Sequence, residues 1–410
     1  MGNRVVVTGL GCISPLGNNV PNSWEACING KSGIDRITKF DPELYRCQIA
    51  GEIKNFILPE IIPVKEAKKM DLFIHYSIAA TEEAIKDSGL EINEDIENDV
   101  GVSMGVGIGG LGCIEKYTKI LIENGPKRVS PFFIPMTLSN LAPGYISLLF
   151  GAKNYTACSV SACTSSNHAI GTAARTIERG DAKVVIAGGA ESSVTPLGIA
   201  GFASMHALST RNDEPSKASR PFDIDRDGFV MGEGSAMLIL EDYEFAQQRG
   251  ARIYCEITGY GFSSDAFHVT SPSAEGPARA MEMSLKDSGL DPNDVDYINA
   301  HGTSTPVGDI NELKAIKMAL GRKSSQQLSI SSTKSMTGHL LGAAAAIEAI
   351  FTIKALHHNF VPPTINIENI DPDCDLDVTP NNGKSKELSV AMSNAFGFGG
   401  TNASIIFQKA

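Results

Sequence analysis

Arg4-Val-Val-Val-Thr-Gly-Leu-Gly11 and Tyr254-Cys-Glu-Ile-Thr-Gly-Tyr-Gly261 repeat one pattern, a strand-forming run closed by Thr-Gly-x-Gly. A second echo pairs Ala84-Ile-Lys-Asp-Ser-Gly-Leu90 with Ser284-Leu-Lys-Asp-Ser-Gly-Leu290. The chain therefore reads as a duplication, with halves 1–250 and 251–410. Gly9 and Gly259 stand 250 positions apart but Gly89 and Gly289 only 200, so the first half carries about 50 extra residues, assigned to the Pro- and Gly-marked stretch from Gly30 to Met70. Each half reads strand, helix ending in Asp-Ser-Gly-Leu, strand, Gly-rich loop, helix, strand. Expected strands cover 4–9, 100–106 and 183–187, then 253–259, 295–299, 328–332, 389–393 and 403–407. Alternating strands and helices predict an α/β chain whose mixed sheets are covered on both faces. Two helices are rich in small residues, one starting after Cys163 and one over 340–358 with its Ala343-Ala-Ala-Ala346 run. Only small residues allow a close approach, so these helices are expected to pack against each other between two sheets. Five layers result, α-β-α-β-α.

Of 410 residues, 42% are hydrophobic and 20% charged, ordinary for a soluble enzyme. A net charge of −12 and a pI near 5.2 argue against nucleic acid as a partner, and any acidic partner would need a local basic patch. Eight cysteines without a C-x-x-C pair or zinc-type spacing read as reduced thiols. No metal and no cofactor are expected. A strand from Val5 leaves no room for a signal peptide, and no apolar run approaches the ~18 residues of a membrane span. The expected location is cytoplasmic, in a bacterial cytosol or, after loss of a transit segment, a plastid stroma.

The chemistry gathers around Thr156-Ala-Cys-Ser-Val-Ser-Ala-Cys-Thr-Ser-Ser166. Small residues and a short strand precede Cys163, and Ala169, Ala173 and Ile177 follow it at helical spacing, which puts the cysteine on a strand-to-helix turn. Free N–H groups and the helix dipole at that position are expected to lower the thiol pKa and arm a nucleophile. Asn299-Ala-His301-Gly-Thr-Ser-Thr305 and Ser331-Ser-Thr-Lys334-Ser-Met-Thr-Gly-His339 each follow a strand, where α/β sheets hold their active groups. A cysteine, two histidines and a lysine in three strand-end loops make one candidate constellation.

Together with Asn394-Ala-Phe-Gly-Phe-Gly-Gly-Thr-Asn402, these segments resemble the motifs of the β-ketoacyl-[acyl carrier protein] synthases of the elongating class, across essentially the whole chain. The resemblance implies a thiolase-like, duplicated five-layered fold and a decarboxylative Claisen condensation in fatty acid elongation. Cys163 would hold the acyl group as a thioester. His301 and His339, as neutral imidazoles, would stabilise the enolate oxygen, with Lys334 paired to Glu348. Backbone N–H groups of Cys163 and Phe398 would form the oxyanion hole. Phe398, within the hinge Phe396-Gly-Phe-Gly399-Gly400, would gate the acyl pocket, to which Ile108 and Phe202 are assigned. Hydroxyls of Thr270, Thr303 and Thr305 would hold the pantetheine arm. Asp309 and Glu312 read as caps of the following helix. The family is usually homodimeric, and residues around Phe132-Phe-Ile-Pro-Met136 would reach across.

Acyl carrier proteins are acidic, so docking requires local positive charge, supplied by Lys65, Lys68, Lys69, Lys127 and Arg128. Gly105-Val-Gly-Ile-Gly-Gly110 matches a dinucleotide-binding pattern, but no acidic residue ends a following strand, and the glycines read as close packing beside the acyl pocket. A thiolase would need a second active cysteine near the C-terminus, where the last one is Cys374. An initiating synthase would have Cys, His and Asn. A polyketide ketosynthase shares the whole set and stays open, while the presence of Cys163 argues against a non-catalytic chain-length factor. A cysteine hydrolase would need fewer groups.

Overall fold

The computed structural model describes residues 2–321 and 327–410. Among these, ten strands form one mixed sheet. In chain order they are β1 (Val5–Ile13), β2 (Val100–Gly105), β3 (Thr156–Ser159), β4 (Val184–Glu191), β5 (Gly234–Asp242), β6 (Cys255–Ser264), β7 (Tyr297–Asn299), β8 (Ser329–Ser331), β9 (Val390–Gly397) and β10 (Thr401–Gln408). Their spatial order is β8-β7-β9-β10-β6-β1-β5-β4-β2-β3. Reading outward from the middle, β1-β5-β4-β2-β3 and β6-β10-β9-β7-β8 are the same order with each number raised by five. In both, the two inner pairs are antiparallel and the two outer pairs parallel. The duplication is thus a property of the fold.

Five helices place the site: α1 (Leu72–Ser88), α2 (Ser165–Glu178), α3 (Glu275–Ser288), α4 (Gly308–Leu320) and α5 (Ala344–His358). The repeated sequence pattern has a direct physical reading here. Gly89 and Gly289 end α1 and α3 with φ of 63° and 69°, the left-handed cap that glycine adopts without strain. One turn back, Asp87 accepts the Leu10 N–H at 3.0 Å, and Asp287 accepts the Tyr260 N–H at 2.9 Å. The Thr-Gly-x-Gly glycines lie against the same helices: a Cβ at Gly9 or Gly259 would collide with the carbonyl oxygen of Ala84 or Ser284. Each echo is therefore a strand and a helix cut to fit one another.

Helices α2 and α5 touch each other and strands of both halves, while α1 lies on one outer face and α3 packs with α4 on the other. This is the expected α-β-α-β-α layering. Every residue from Ala344 to Ile353 is buried, which only a helix enclosed on all sides allows. The two sheets expected to be separate are continuous, because Val5, Val6 and Val7 pair antiparallel with Ile257, Glu256 and Cys255. That short seam satisfies backbone groups that two inner edges would leave unpaired.

Other expectations shift. β5 was not anticipated, because an apolar run buried on both faces lacks the alternation that marks a strand. β4 continues past 187 to Glu191, and β9 with β10 forms a hairpin that absorbs Asn394 to Gly397. The helix expected from 340 begins at Ala344, after a 3-10 turn over Leu341–Ala343. The extra residues of the first half begin directly after β1 and include a helix, Val20–Ile28, before Gly30. Among the described residues no helix is long and apolar enough to cross a membrane.

A Cβ at Gly105 would collide with the backbone of Ser165 and Ser166 at the start of α2, whereas one at Gly144, in helix Leu141–Phe150, meets open space. Gly105→Ala is expected to cost about 1–3 kcal/mol in urea unfolding. Gly144→Ala should be neutral or stabilise by up to ~1 kcal/mol. Coincident unfolding curves for the two variants would contradict this packing.

Candidate active site

The duplication sets the site's geometry. Cys163 lies between β3 and α2, and His339 lies between their counterparts β8 and α5. The turn Ala162–Thr164 holds Ala162 at φ 52°, a left-handed conformation that strains a residue with a Cβ. Two hydroxyls brace the turn against β10: Thr164 Oγ1 donates to Thr401 O at 3.0 Å, and Thr401 Oγ1 donates to Ser161 O at 3.2 Å. His339 is fixed through its own backbone, which donates to Val230 O at 2.7 Å and accepts from Gly232 N–H at 2.8 Å. The result is a His339 Nε2 to Cys163 Sγ distance of 2.9 Å.

His301 follows β7, and its ring centroid stands 5.4 Å from that of His339, nearly perpendicular. Glu312 on α4 accepts the N–H groups of His301 at 2.8 Å and Gly302 at 2.7 Å. Asp309 accepts those of Ser304 at 3.1 Å and Thr305 at 3.3 Å. These acids were expected to cap α4, but they lie within the helix and clamp the histidine loop, whose Ser304 has φ 67°. Lys334 Nζ lies 2.5 Å from Glu348 Oε1, with each side chain 1% exposed. One donor atom from each of Cys163, His301 and His339 falls within 4.8 Å of the others.

Burial dominates the electrostatics. It drives the imidazoles of His301 and His339 well below their usual pKa, and the nearby Lys334 charge adds to the effect, so both rings are neutral at neutral pH. Burial raises Glu312 and Glu348 to about 7, opposed at Glu312 by the backbone N–H bonds and at Glu348 by Lys334. The Cys163 thiol is also pushed up, to about 11, against the opposing pull of Lys334 and of the Phe398 and Cys163 N–H groups. Burial thus acts against the lowering expected from the helix end, and exceeds the pull of Lys334 and the two N–H groups. The resting sulfur is a thiol beside a neutral imidazole, and it becomes a nucleophile only as its proton leaves.

Cys163, His301 and His339 line a cavity of about 490 Å³, with Lys334 and Glu348 outside its lining. Ile108, Phe202, Thr270, Thr303, Thr305, Phe396 and Phe398 all line it, together with Leu341 and Phe229. Gly399 does not; it is exposed at φ 85°, and its N–H donates to Val269 O at 2.7 Å. Asn402 Nδ2 donates to Asp265 at 2.8 Å, which ties the glycine turn to the 265–270 segment a second time. The side chains of Thr303 and Thr305 lie 3.1 Å apart. Phe229 contacts His339 edge-on at 5.3 Å and Phe202 at 5.5 Å. No sequence pattern marked Phe229, because its role comes from a loop brought in from elsewhere in the chain.

The docking candidates lie apart from the cavity lining. Lys65, Lys68, Lys127 and Arg128 are exposed, while Lys69 pairs with Glu66 at 2.6 Å and lies 4.7 Å above the Phe132 ring. Arg46 Nη1, 2.9 Å from His206 Nδ1, adds exposed basic character beside cavity-lining Met205. The glycine decoy is resolved as well: the N–H groups after β2 converge on the buried carboxylate of Glu191, which occupies the place a phosphate would take. The signal available was an acid closing an otherwise apolar strand.

A duplicated α/β fold with a cysteine and two histidines on one cavity floor defines the thiolase-like condensing class. More narrowly, the chain belongs to the beta-ketoacyl synthase family, whose N-terminal domain matches residues 2–246 and whose C-terminal domain matches 254–368. It is 51% identical to the 3-oxoacyl-[acyl-carrier-protein] synthase 2 of Vibrio harveyi over 408 residues, covering 99% of this chain and 98% of the relative. The protein of the same name from a Synechocystis species gives 51% identity with the same coverage. A beta-ketoacyl synthase from Burkholderia phymatum superposes with a TM-score of 0.93 at 37% identity, covering both chains fully. A type II PKS ketosynthase, solved in complex with its acyl-carrier protein and bound to the hexaketide, gives 0.92 at 34%, again over both whole chains.

With the thiol raised to about 11, alkylation of Cys163 by iodoacetamide, followed by peptide mass spectrometry, should keep accelerating above pH 9. Lys334→Ala should push the rise to still higher pH, since it removes the positive charge that favours thiolate. A wild-type rate that levels off below pH 8 would restore the dipole-lowered thiolate.

Proposed function

We propose that the chain is an acyltransferase of fatty acid elongation, condensing an acyl group held on Cys163 with malonyl-[acyl carrier protein]. The product is a 3-oxoacyl-[acyl carrier protein] two carbons longer, with carbon dioxide released. The observation that carries this reading is the 2.9 Å approach of His339 Nε2 to Cys163 Sγ, with His301 beside it. A hydrolase has no use for the second, perpendicular imidazole.

The sulfur of Cys163 attacks the acyl thioester carbonyl; a C–S bond forms, the carrier's C–S bond breaks, and the proton shed by the thiol leaves on the carrier thiol. In the malonyl thioester the bond to the carboxylate then breaks, and its electron pair becomes an enolate. His301 and His339 donate hydrogen bonds to the enolate oxygen, a role for which neutral imidazoles suit better than charged ones. The enolate carbon attacks the acyl carbonyl, whose oxygen sits between the N–H groups of Cys163 and Phe398, both of which already reach the sulfur. The C–S bond breaks, and Cys163 regains a proton from solvent. Lys334 and Glu348 hold the field behind the histidines.

Ile108 and Phe202 would line the acyl pocket, and Thr270, Thr303 and Thr305 the pantetheine channel. Phe398 would gate the acyl pocket, and the glycines up to Gly399 would give the loop its hinge. Lys65, Lys68, Lys69, Lys127 and Arg128 would meet the acidic carrier. Halves 1–250 and 251–410 would carry the nucleophile and the enolate-binding groups respectively. A cytoplasmic location is supported by eight free cysteines. A homodimer is supported by β3, which ends the sheet with no strand beyond it among the described residues. Exposed Ile134, Leu138, Leu148 and Val160 in the segment around β3 add an apolar face. A polyketide ketosynthase would share the chemistry, but the higher identity to synthase 2 relatives favours fatty acids.

Purified protein with acyl- and malonyl-carriers should give an adduct on Cys163 and a product two carbons longer. His301→Ala and His339→Ala should still acylate but lose about 10²–10³-fold in carbon dioxide release. Release of free acid without carbon dioxide would favour hydrolysis, and absence of any adduct would sink the assignment. Sedimentation should report a dimer; a monomer would remove that part of the reading.

A further inference from the structure

Glu191 ends β4 with its side chain fully buried. Its carboxylate accepts the N–H groups of Gly107 at 2.9 Å, Ile108 at 3.2 Å and Gly109 at 3.3 Å from the loop after β2. It also accepts that of Gly342 at 3.2 Å, from the turn before α5, and the hydroxyl of Ser193 at 3.0 Å. The two loops otherwise meet through bare backbone, since a Cβ at Gly342 would collide with Gly107 N. Both are cavity wall: Gly107, Ile108 and Leu341 line the space above Cys163. Glu191 itself is not part of the cavity lining, and none of its hydrogen bonds goes to Cys163, His301 or His339.

A carboxylate in this position does one thing well. Four N–H groups from two separate loops have a common buried acceptor, so the loops hold one fixed relation to each other. The mechanism above makes no use of it. A short acyl group leaves the part of the cavity beside Ile108 and Leu341 largely unfilled and tolerates a displaced wall there, whereas a long one needs the wall where it stands.

We infer that Glu191 is a positioning residue that sets the acyl-chain-length preference, by holding Ile108 and Leu341 in register from behind the cavity wall. This rests on the proposed reaction, because only there is the cavity an acyl pocket. Glu191→Gln keeps the size of the side chain but turns an amide N–H₂ toward backbone N–H groups, so the nest loses an acceptor and gains a repulsion.

The test is the rate of Cys163 acylation by hexanoyl and palmitoyl carrier, read by intact-protein mass spectrometry. For Glu191→Gln the hexanoyl rate should stay within about two-fold of wild type while the ratio of palmitoyl to hexanoyl rates changes by roughly ten-fold or more. In an Ile108→Ala background the same substitution should change the ratio clearly less, because the part of its effect that acts through the Ile108 side chain is already gone and only the part through Leu341 remains. An unchanged ratio, an equal loss on both substrates, or an undiminished effect without Ile108 would overturn the inference. Should Glu191→Gln fail to fold, Ser193→Ala, which removes one hydrogen bond from the carboxylate, must move the ratio by about two-fold, and no movement counts against the inference. A wild type that accepts neither acyl group would overturn the proposed reaction, and this inference with it.

Discussion

Everything at the site depends on two helices of small residues being enclosed between the halves of one sheet. Because α2 and α5 occupy matching places in a duplicated plan, the turns that begin them arrive side by side, with Cys163 in one and His339 just before the other. The close contact is built from backbone, not from long side chains. Gly105 lies against Ser165 and Ser166, and Gly342 against Gly107, so neither turn has room to drift. Rigid placement is what a hydrogen-bonded transition state requires, since donors must already point where charge develops.

Enclosure has an electrostatic consequence. Buried in apolar surroundings, the histidines are held neutral and the cysteine is held as a thiol, and both follow from the same exclusion of water. The acids nearby show how such a site is kept from collapsing into unpaired charge. Glu348 is matched by Lys334, and Asp309 and Glu312 are surrounded by N–H groups of the loop they clamp. Removing one partner of the Lys334–Glu348 pair would leave a buried charge, at a cost of about 3–5 kcal/mol. The raised pKa of Glu312 and Glu348 gives the linkage a definite sign. A carboxyl group that binds its proton more tightly when folded contributes stability below its ordinary pKa of 4.5, and that contribution is lost as pH rises through about 7.

The duplication was legible because its two landmarks, Thr-Gly-x-Gly and Asp-Ser-Gly-Leu, are strand–helix contacts and helix caps that no other residues satisfy as well. Cys163, His301, Lys334 and His339 were legible because each stands at a strand end within a run of Gly, Ser and Thr. What escaped was whatever depends on the third dimension alone. β5 hid in an unbroken apolar run, Phe229 came from a distant loop, and Glu312 looked like a cap until the loop above it was seen. The upward push of burial on Cys163 escapes the sequence for a similar reason. A helix end can be read from sequence, but the depth of the cavity around it cannot.

In the proposed reaction, holding the acyl group and generating the enolate are separate tasks, carried by Cys163 and by the two histidines. The most direct measurement is carbon dioxide release from malonyl carrier by Cys163→Gln, in which a side-chain amide occupies the place of the acyl thioester and no acyl donor is present. The account predicts release of carbon dioxide together with acetyl carrier, and its loss when His339→Ala is added. A folded Cys163→Gln protein that releases none would contradict it.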